Sequence, residues 1–320
     1  MKALQQIIQC VAENPGQPWA LATLVQTQGS TYRKAGARLL VASDGATLGV
    51  LSGGCLEEEI GHRGRDVIRD GSTVLLSFDT RQIYGCDGLL KILVEPLAPA
   101  GENGNLITDI GRSLEQREVC RVRTCFEGSK LGSEILASDV LLTERPGVFI
   151  ETLALPVRLL LFGTGPEIEP LTQLATTLGW IVQRFGHPSE LAQDFRSDTY
   201  TAAVVMNHNF GRDLLSLHRL LPLQLRYVGL LGPKKRYAEI LAQLSEYAVL
   251  DFNPECFRGN LFAPAGLDTG SEAPEEIALS IAAEIATVLS SRVGGFLRER
   301  GVDIHAKATP KAFGAGGEAA

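Results

Sequence analysis

Val157-Arg158-Leu159-Leu160-Leu161-Phe162-Gly163-Thr164-Gly165 decides the fold of the second half of the chain. The run over 157–162 is almost wholly apolar, which suits a strand buried on both faces of a parallel sheet. Gly163 and Gly165 follow at once. Leu171, Leu174, Ala175 and Leu178 then recur at helical spacing over 166–178. Outward from this unit, strands are expected at 181–185, 202–206 and 227–231, with helices near 211–221 and 233–244. Strand alternating with helix predicts a doubly wound sheet. A last helix over 274–289 carries Ile277, Ile281, Ile285 and Leu289 four apart with alanines between them. Pro274 suits its first turn, and Glu275 and Glu276 complement its dipole. So apolar a helix belongs against the sheet or against a second copy of the chain.

The first half is built differently. A helix is expected over 3–13, with Leu4, Ile7, Ile8 and Val11 on one face, and Asn14-Pro15-Gly16 ends it. Strands follow at 20–25 and 39–41, then Ser43-Asp44-Gly45 as a tight turn. Leu48 to Leu51 reads as a short strand that stops at Ser52-Gly53-Gly54. Cys55 comes next, and Glu57, Glu58 and Glu59 open a helix over 56–69. Further strands are expected at 73–78 and 89–94, with Tyr84-Gly85-Cys86-Asp87-Gly88 between them. A helix at 107–114 and strands at 119–126 and 140–142 follow, with a turn at Pro146-Gly147.

Composition narrows the function classes. The apolar content of 45% and charged content of 21% fit a globular protein. The net charge is −7, and no dense Lys/Arg stripe appears, so neither nucleic acid nor an acidic membrane surface is an expected partner. No apolar run reaches ~18 residues. The N-terminus has polar residues inside its apolar stretch and no small-residue cleavage site, unlike a signal peptide. The six cysteines, at 10, 55, 86, 120, 125 and 256, form no C-x-x-C pair and have no zinc-ligand spacing with the five histidines. Reduced thiols in a cytoplasmic protein follow.

Several stretches carry chemistry. At Gly53-Gly54-Cys55 a sharp backbone turn meets a helix start, whose N–H groups favour an anion. Cys55 there is either a reactive sulfur, favoured as thiolate by the helix end, or a cysteine packed in a turn. The neighbouring glutamates disfavour thiolate. Gly29-Ser30-Thr31-Tyr32-Arg33-Lys34-Ala35-Gly36-Ala37-Arg38 has small hydroxyls and three cations between two strands, suited to an oxyanion or to a solvated loop. Gly163-x-Gly165 begins a dinucleotide fingerprint, but the third glycine position is Ile168, and Arg184-Phe185-Gly186-His187 offers no acidic residue for a ribose. Arg184 could meet a 2′-phosphate or simply stand on the surface. Gly232-Pro233-Lys234-Lys235-Arg236 puts three cations at a helix start, where an anion or solvent must offset them. His208, in Asn207-His208-Asn209, follows the third strand at the edge where such sheets bind ligands.

Taken in order, GSTYRKAGARLLV (29–41), LGVLSGGCLEEEI (48–60), YGCDGLLKILVEPL (84–97), LLLFGTGPEIEPL (159–171), YVGLLGPKKRYAEIL (227–241), GLDTGSEAPEEIALSIAAEI (266–285) and GGFLRERGVDIHA (294–306) resemble the xanthine dehydrogenase accessory factor (XdhC/CoxI) family. The resemblance implies an α/β protein: an N-terminal mixed α/β cofactor-handling domain over 1–152, then a Rossmann-like doubly wound parallel sheet over 153–305, with a disordered tail over 306–320. It departs from the family at Pro166-Glu167, where many members have histidine.

What the resemblance implies about function is a cytoplasmic maturation factor, often a homodimer. Such a factor binds the molybdenum cofactor (molybdopterin) and assists its sulfuration and insertion into a molybdenum hydroxylase client such as xanthine dehydrogenase. A cysteine desulfurase is a further expected partner. Cys55, Cys86, Arg33, Arg38 and Glu57 fall on family motif positions. The phosphate is expected on Gly53, Gly54, Arg33 and Arg38, with Ser30, Ser52 and Gly85 beside them and Cys55 as a molybdenum ligand. A nucleotide, NAD(P), would use Gly163, Gly165, His208, Gly232 and Lys234. Two rival functions follow from the residues: an NAD(P)-dependent oxidoreductase, and a redox sensor working through Cys55 and Cys86.

Overall fold

In the computed structural model the chain divides into two compact units, Met1–Leu155 and Pro156–Ala320. The residues described are 1–29, 31–54, 56–79, 88–99, 105–137, 140, 145–246 and 259–301. Ser30, Cys55, Gly85, Cys86, most of the strand expected at 140–142 and the expected tail lie outside them. Among the described residues no helix is long and apolar enough to cross a membrane.

The first unit is antiparallel. Its main sheet is made of β1 (Trp19–Gly29), β2 (Arg38–Ala42), β3 (Thr47–Gly49), β4 (Val74–Asp79) and β5 (Gly88–Leu97), in the order β3-β2-β1-β5-β4. Helices α1 (Lys2–Glu13) and α2 (Glu57–Asp70) are where helical spacing predicts them. Ile60 and Val67 of α2 bury against Ala22, Leu39, Val41, Ile92 and Val94 of the sheet. The helix can come this close because Gly64 has no side chain: a Cβ there would stand 2.6 Å from Val41 Cγ1. Helix α3 (Leu106–Glu115) follows, capped by Asn105, whose side chain accepts from the Ile107 and Thr108 N–H groups.

A second, three-stranded sheet, β7-β6-β8, completes the unit: β6 (Cys120–Cys125), β7 (Gly132–Leu136) and β8 (Val148–Leu153). Periodicity predicts the first of these strands but not the other two. They are short, half-buried and interrupted by polar residues, so their alternation is weak. Buried polar contacts tie them to the main sheet. Glu95 of β5 accepts from the Ser133 N–H at 2.8 Å and from its hydroxyl at 2.5 Å, and Arg38 of β2 donates to Glu151 of β8.

The second unit is parallel, as its apolar runs require. β9 (Arg158–Phe162), α4 (Ile168–Thr177), β10 (Ile181–Phe185), β11 (Thr201–Val205), α5 (Phe210–Leu220), β12 (Tyr227–Leu230), α6 (Lys234–Glu246), β13 (Leu261–Phe262) and α7 (Pro274–Leu289) give the sheet order β10-β9-β11-β12-β13. Alternate residues of β9 go to opposite cores. Leu159 and Leu161 pack with α4 and α7, while Leu160 and Phe162 pack with α5 and α6. Helix α7 is therefore covered by the sheet: Ile281 and Ile285 are fully buried there.

Because α2 carries the acidic start of the glycine loop, its seating on β2 fixes that loop. Gly64→Ala must push Val41 or lift the helix, and should cost about 1–3 kcal/mol in denaturant unfolding.

Candidate functional site

The loop between β3 and α2 is held by one side chain. Glu57 opens the helix and turns its carboxylate back over the loop. One oxygen accepts from the Leu51 and Ser52 N–H groups at 2.9 Å each. The other accepts from the Ser52 hydroxyl at 2.6 Å, the Gly54 N–H at 2.9 Å and the Leu56 N–H at 3.1 Å. The Ser52 hydroxyl also accepts from the Leu56 N–H at 2.9 Å. Gly53 and Gly54, with φ of 80° and 110°, supply the left-handed turns this wrap needs. The two residues flanking Cys55 thus donate to the same carboxylate oxygen. Burial pushes the Glu57 carboxyl up, but the Ser52 hydroxyl and the surrounding N–H groups outweigh it and hold the group at about 2.

This arrangement corrects part of the expected phosphate cradle. The Gly54 N–H, Ser52 and Glu57 are engaged with one another and organise the loop from within. Glu58 and Glu59 also point along the helix, toward His62 at 3.9 Å and Arg63 at 3.1 Å. Arg38 is placed differently from the expectation too. It is 6% exposed, and its guanidinium donates to the Gly36 carbonyl at 3.1 Å and to Glu151. A phosphate would have to displace a buried carboxylate to reach it. Burial raises the Glu151 carboxyl, and the Arg38 charge opposes that rise.

The segment that carries Arg33 lies beside the glycine loop. Arg33 and Lys34 are exposed. Tyr32, 66% exposed, lays its ring beside Gly53, where a Cβ would lie 3.6 Å from the ring. The 31–37 segment and the glycine loop, remote in sequence, are therefore neighbours. Sheet register sets the direction of the flanking strands. Gly29 pairs with Gly88, Asp79 with Leu89, and Leu39 with Gly49. The chain thus leaves β1, β3 and β4, and enters β2 and β5, toward one end of the sheet. Cys86 lies outside the described residues; Asp79 and Gly88, which flank its segment, are level with Gln28 and Gly29 of β1, whereas Gly49 is level with Ala22. Tyr32 is the site residue that sequence reasoning missed, and its position inside the cation-bearing segment was the available signal. Among the described residues no cluster of three metal-ligating side chains occurs, and Cys10, Cys120 and Cys125 are free thiols.

In the second unit the nucleotide residues sit at the carboxyl ends of the strands. Gly163 leaves β9 against the Met206 carbonyl, with no room for a Cβ. At Gly165 a Cβ would lie 2.7 Å from Glu167 Oε2 and 2.7 Å from His208 Nε2. Those two side-chain atoms are themselves 3.1 Å apart. His208 reaches this position through a left-handed backbone, φ 51°. The cations expected to need an anion are partly matched by the chain. Arg236 lies 2.5 Å from the fully buried Asp213, Lys235 lies 3.9 Å from Glu239, and Arg184 pairs with Glu169 at 3.1 Å. Gly232 stands beside Arg236, and Lys234 is exposed at the start of α6.

Known proteins match both units. Residues 159–285 match the family model of the XdhC Rossmann domain, and residues 12–79 match that of the XdhC and CoxI family. The chain is 27% identical over 328 residues to a probable xanthine dehydrogenase component of Bacillus subtilis (strain 168), covering 83% of this chain and 91% of that protein. It is 25% identical over 279 residues to the molybdenum cofactor insertion chaperone PaoD of Escherichia coli (strain K12), covering 85% of this chain and 84% of that one. A crystal structure of a xanthine dehydrogenase from Bacillus halodurans has the same fold, with a TM-score of 0.76 at 24% identity over 92% of this chain and 97% of that chain.

The Glu57 network sets a pH dependence. Its folded value, about 2, is depressed below the ordinary 4.5, so its stabilisation is present above about 4.5 and is lost as pH falls toward 2. A full shift of that size corresponds to about 3 kcal/mol, reduced to about 1–2 kcal/mol by solvent at this half-exposed position. Glu57→Gln should lower stability at neutral pH by about that amount and flatten the acid limb of the unfolding curve between those two pH values. A variant with unchanged stability at pH 7 and an unchanged acid limb would show that the carboxylate does not hold the loop.

Proposed function

This chain belongs to the XdhC and CoxI family, and we propose that it is a maturation factor that binds the molybdenum cofactor on its first unit and delivers it to a molybdenum hydroxylase of the xanthine dehydrogenase kind. The observation that carries the proposal is the Glu57-organised glycine loop, which ties down the backbone on both sides of Cys55. The names of two relatives support it: a molybdenum cofactor insertion chaperone and a probable xanthine dehydrogenase component.

The cofactor is cargo here. It brings a phosphate, a dithiolene and an oxidised metal, and the proposal assigns groups of this loop region to the phosphate and the metal. Arg33 and Lys34 offer exposed positive charge for the phosphate. The exposed backbone at Gly53 allows close approach. Cys55 would supply a soft sulfur ligand to the metal. Cys86 is assigned to the same site by the direction of its flanking strands β4 and β5. Sulfur exchange with a cysteine desulfurase as donor, assembly as a homodimer and a cytoplasmic location belong to the same proposal.

The test is purification from a molybdenum-replete host, followed by molybdenum by mass spectrometry and released pterin by fluorescence. The wild-type chain should carry both. Cys55→Ser should fold normally, lose most of the bound molybdenum, and lower the activity and molybdenum content of a co-expressed hydroxylase. Cys86→Ser should act in the same direction. A folded Cys55→Ser protein that retains cofactor and client activation would reduce the cysteine to a packing residue. Hydride transfer between NAD(P) and purines or aldehydes by the molybdenum-free chain would favour an oxidoreductase instead.

A further inference from the structure

We propose that Glu167 decides what the second unit admits: its carboxylate stands where a nucleotide phosphate would bind at the Gly163–Gly165 turn, and it excludes dinucleotides. The inference is independent of the cofactor site on the first unit.

The sheet order β10-β9-β11-β12-β13 runs outward in both directions from β9. The side on which strands are added therefore switches between β9 and β11, which remain parallel, and in such sheets the crevice at that point receives the ligand. Here one wall of the crevice is Gly163-Thr164-Gly165 and the other is Met206-Asn207-His208. In a phosphate-binding turn, the missing side chain of the second glycine leaves space for the anion against the first helical N–H groups. In this chain the space exists but is filled. The carboxylate of Glu167 and the ring of His208 both lie within van der Waals range of the absent Gly165 Cβ.

Three features make this a built arrangement. Glu167 is 6% exposed, so its position is enforced by packing. It occupies the N-cap position of α4 without using its side chain as a cap, so local helix chemistry does not explain where the carboxylate points. His208 adopts a left-handed backbone that L-residues rarely take and meets the carboxylate at 3.1 Å. The surroundings agree. Arg184, at the end of β10, and Arg236, at the start of α6, are paired with Glu169 and Asp213. A dinucleotide would meet one carboxylate head-on and would compete with two others for its cations.

The experiment is isothermal titration of the full-length protein with NAD, NADP and ADP-ribose at neutral pH. It is repeated with Glu167→Gln, which keeps the shape and removes the charge, and Glu167→Ala, which also opens the space. Circular dichroism and thermal melting confirm that each variant is folded. The wild type should bind none of the three below about 1 mM, and at least one folded variant should bind at least about tenfold more tightly, as removal of a like charge facing a phosphate requires. Wild-type binding well below that concentration would overturn the proposal. Folded variants that both bind no better than wild type would overturn it equally, because something other than Glu167 would then close the crevice.

Discussion

The first unit depends on a carboxylate held inside a loop. A tight turn between a strand and a helix leaves several N–H groups without partners, and glycines allow the turn without satisfying them. Glu57 meets those donors from the first turn of the helix that follows. The cost of partly burying its charge is offset only because the donors converge on both oxygens. The consequence reaches beyond the loop. Ser52, Gly54 and Leu56 cannot shift independently of α2, and α2 is pressed onto β2 at Gly64. The backbone around Cys55 is thereby coupled to the core of the sheet. A thiol meant to meet one ligand in one geometry needs this kind of support, since small misplacements at a site weaken binding steeply.

The same device recurs where the chain looks ready for an anion. Arg38 has Glu151, Arg236 has Asp213, Arg184 has Glu169, and the Gly165 turn has Glu167. Motifs that suggest phosphate binding are, in their geometry, mostly pairs internal to the chain. The exposed Arg184 and Glu169 hold each other weakly, but the buried pairs, though they contribute little net stability, strongly disfavour any arrangement that separates them. Their role in the fold is to set register. Arg38 with Glu151, and Glu95 with Ser133, join two antiparallel sheets, and a slip of either strand would strand a charge.

The parallel half was legible in its sequence because its central strands β9, β11 and β12 are buried on both faces, although β10 at the edge is largely exposed. Leu159 to Phe162 and Ala202 to Val205 have no polar side to obscure them, and α7 announces itself by isoleucines four apart. The antiparallel half was legible where strands are long or alternate cleanly, as β1, β5 and β6 do. It was not legible at β7 and β8, which depend on Glu95, Ser133 and Glu151 more than on pattern. Spacing located the glycine loop of the candidate site but not its internal wiring. That Glu57 and not a ligand satisfies the Gly54 N–H depends on a side-chain rotamer, which residue type alone does not fix. Tyr32 was hidden for a similar reason: an aromatic in a polar segment signals nothing until the segment is folded beside Gly53.

Antiparallel topology explains how motifs so far apart can form one site. β1, β3 and β4 run in one direction and β2 and β5 in the other, because α2 returns the chain between β3 and β4, so β1, β3 and β4 all finish toward the same end of the sheet. The chain places its cations in the first of the connections that follow them, Cys55 in the second and Cys86 in the third. The remaining connection with a recognisable turn, Ser43-Asp44-Gly45, lies at the opposite end and carries no thiol or cation. Both thiols thus fall in connections that leave from one end, although a cation, Arg65, stands beside Gly45 at the other. A sheet that needed these residues for stability would have no reason to sort them so. Within the first unit, that sorting favours a ligand site at this end over a set of ordinary hairpin loops.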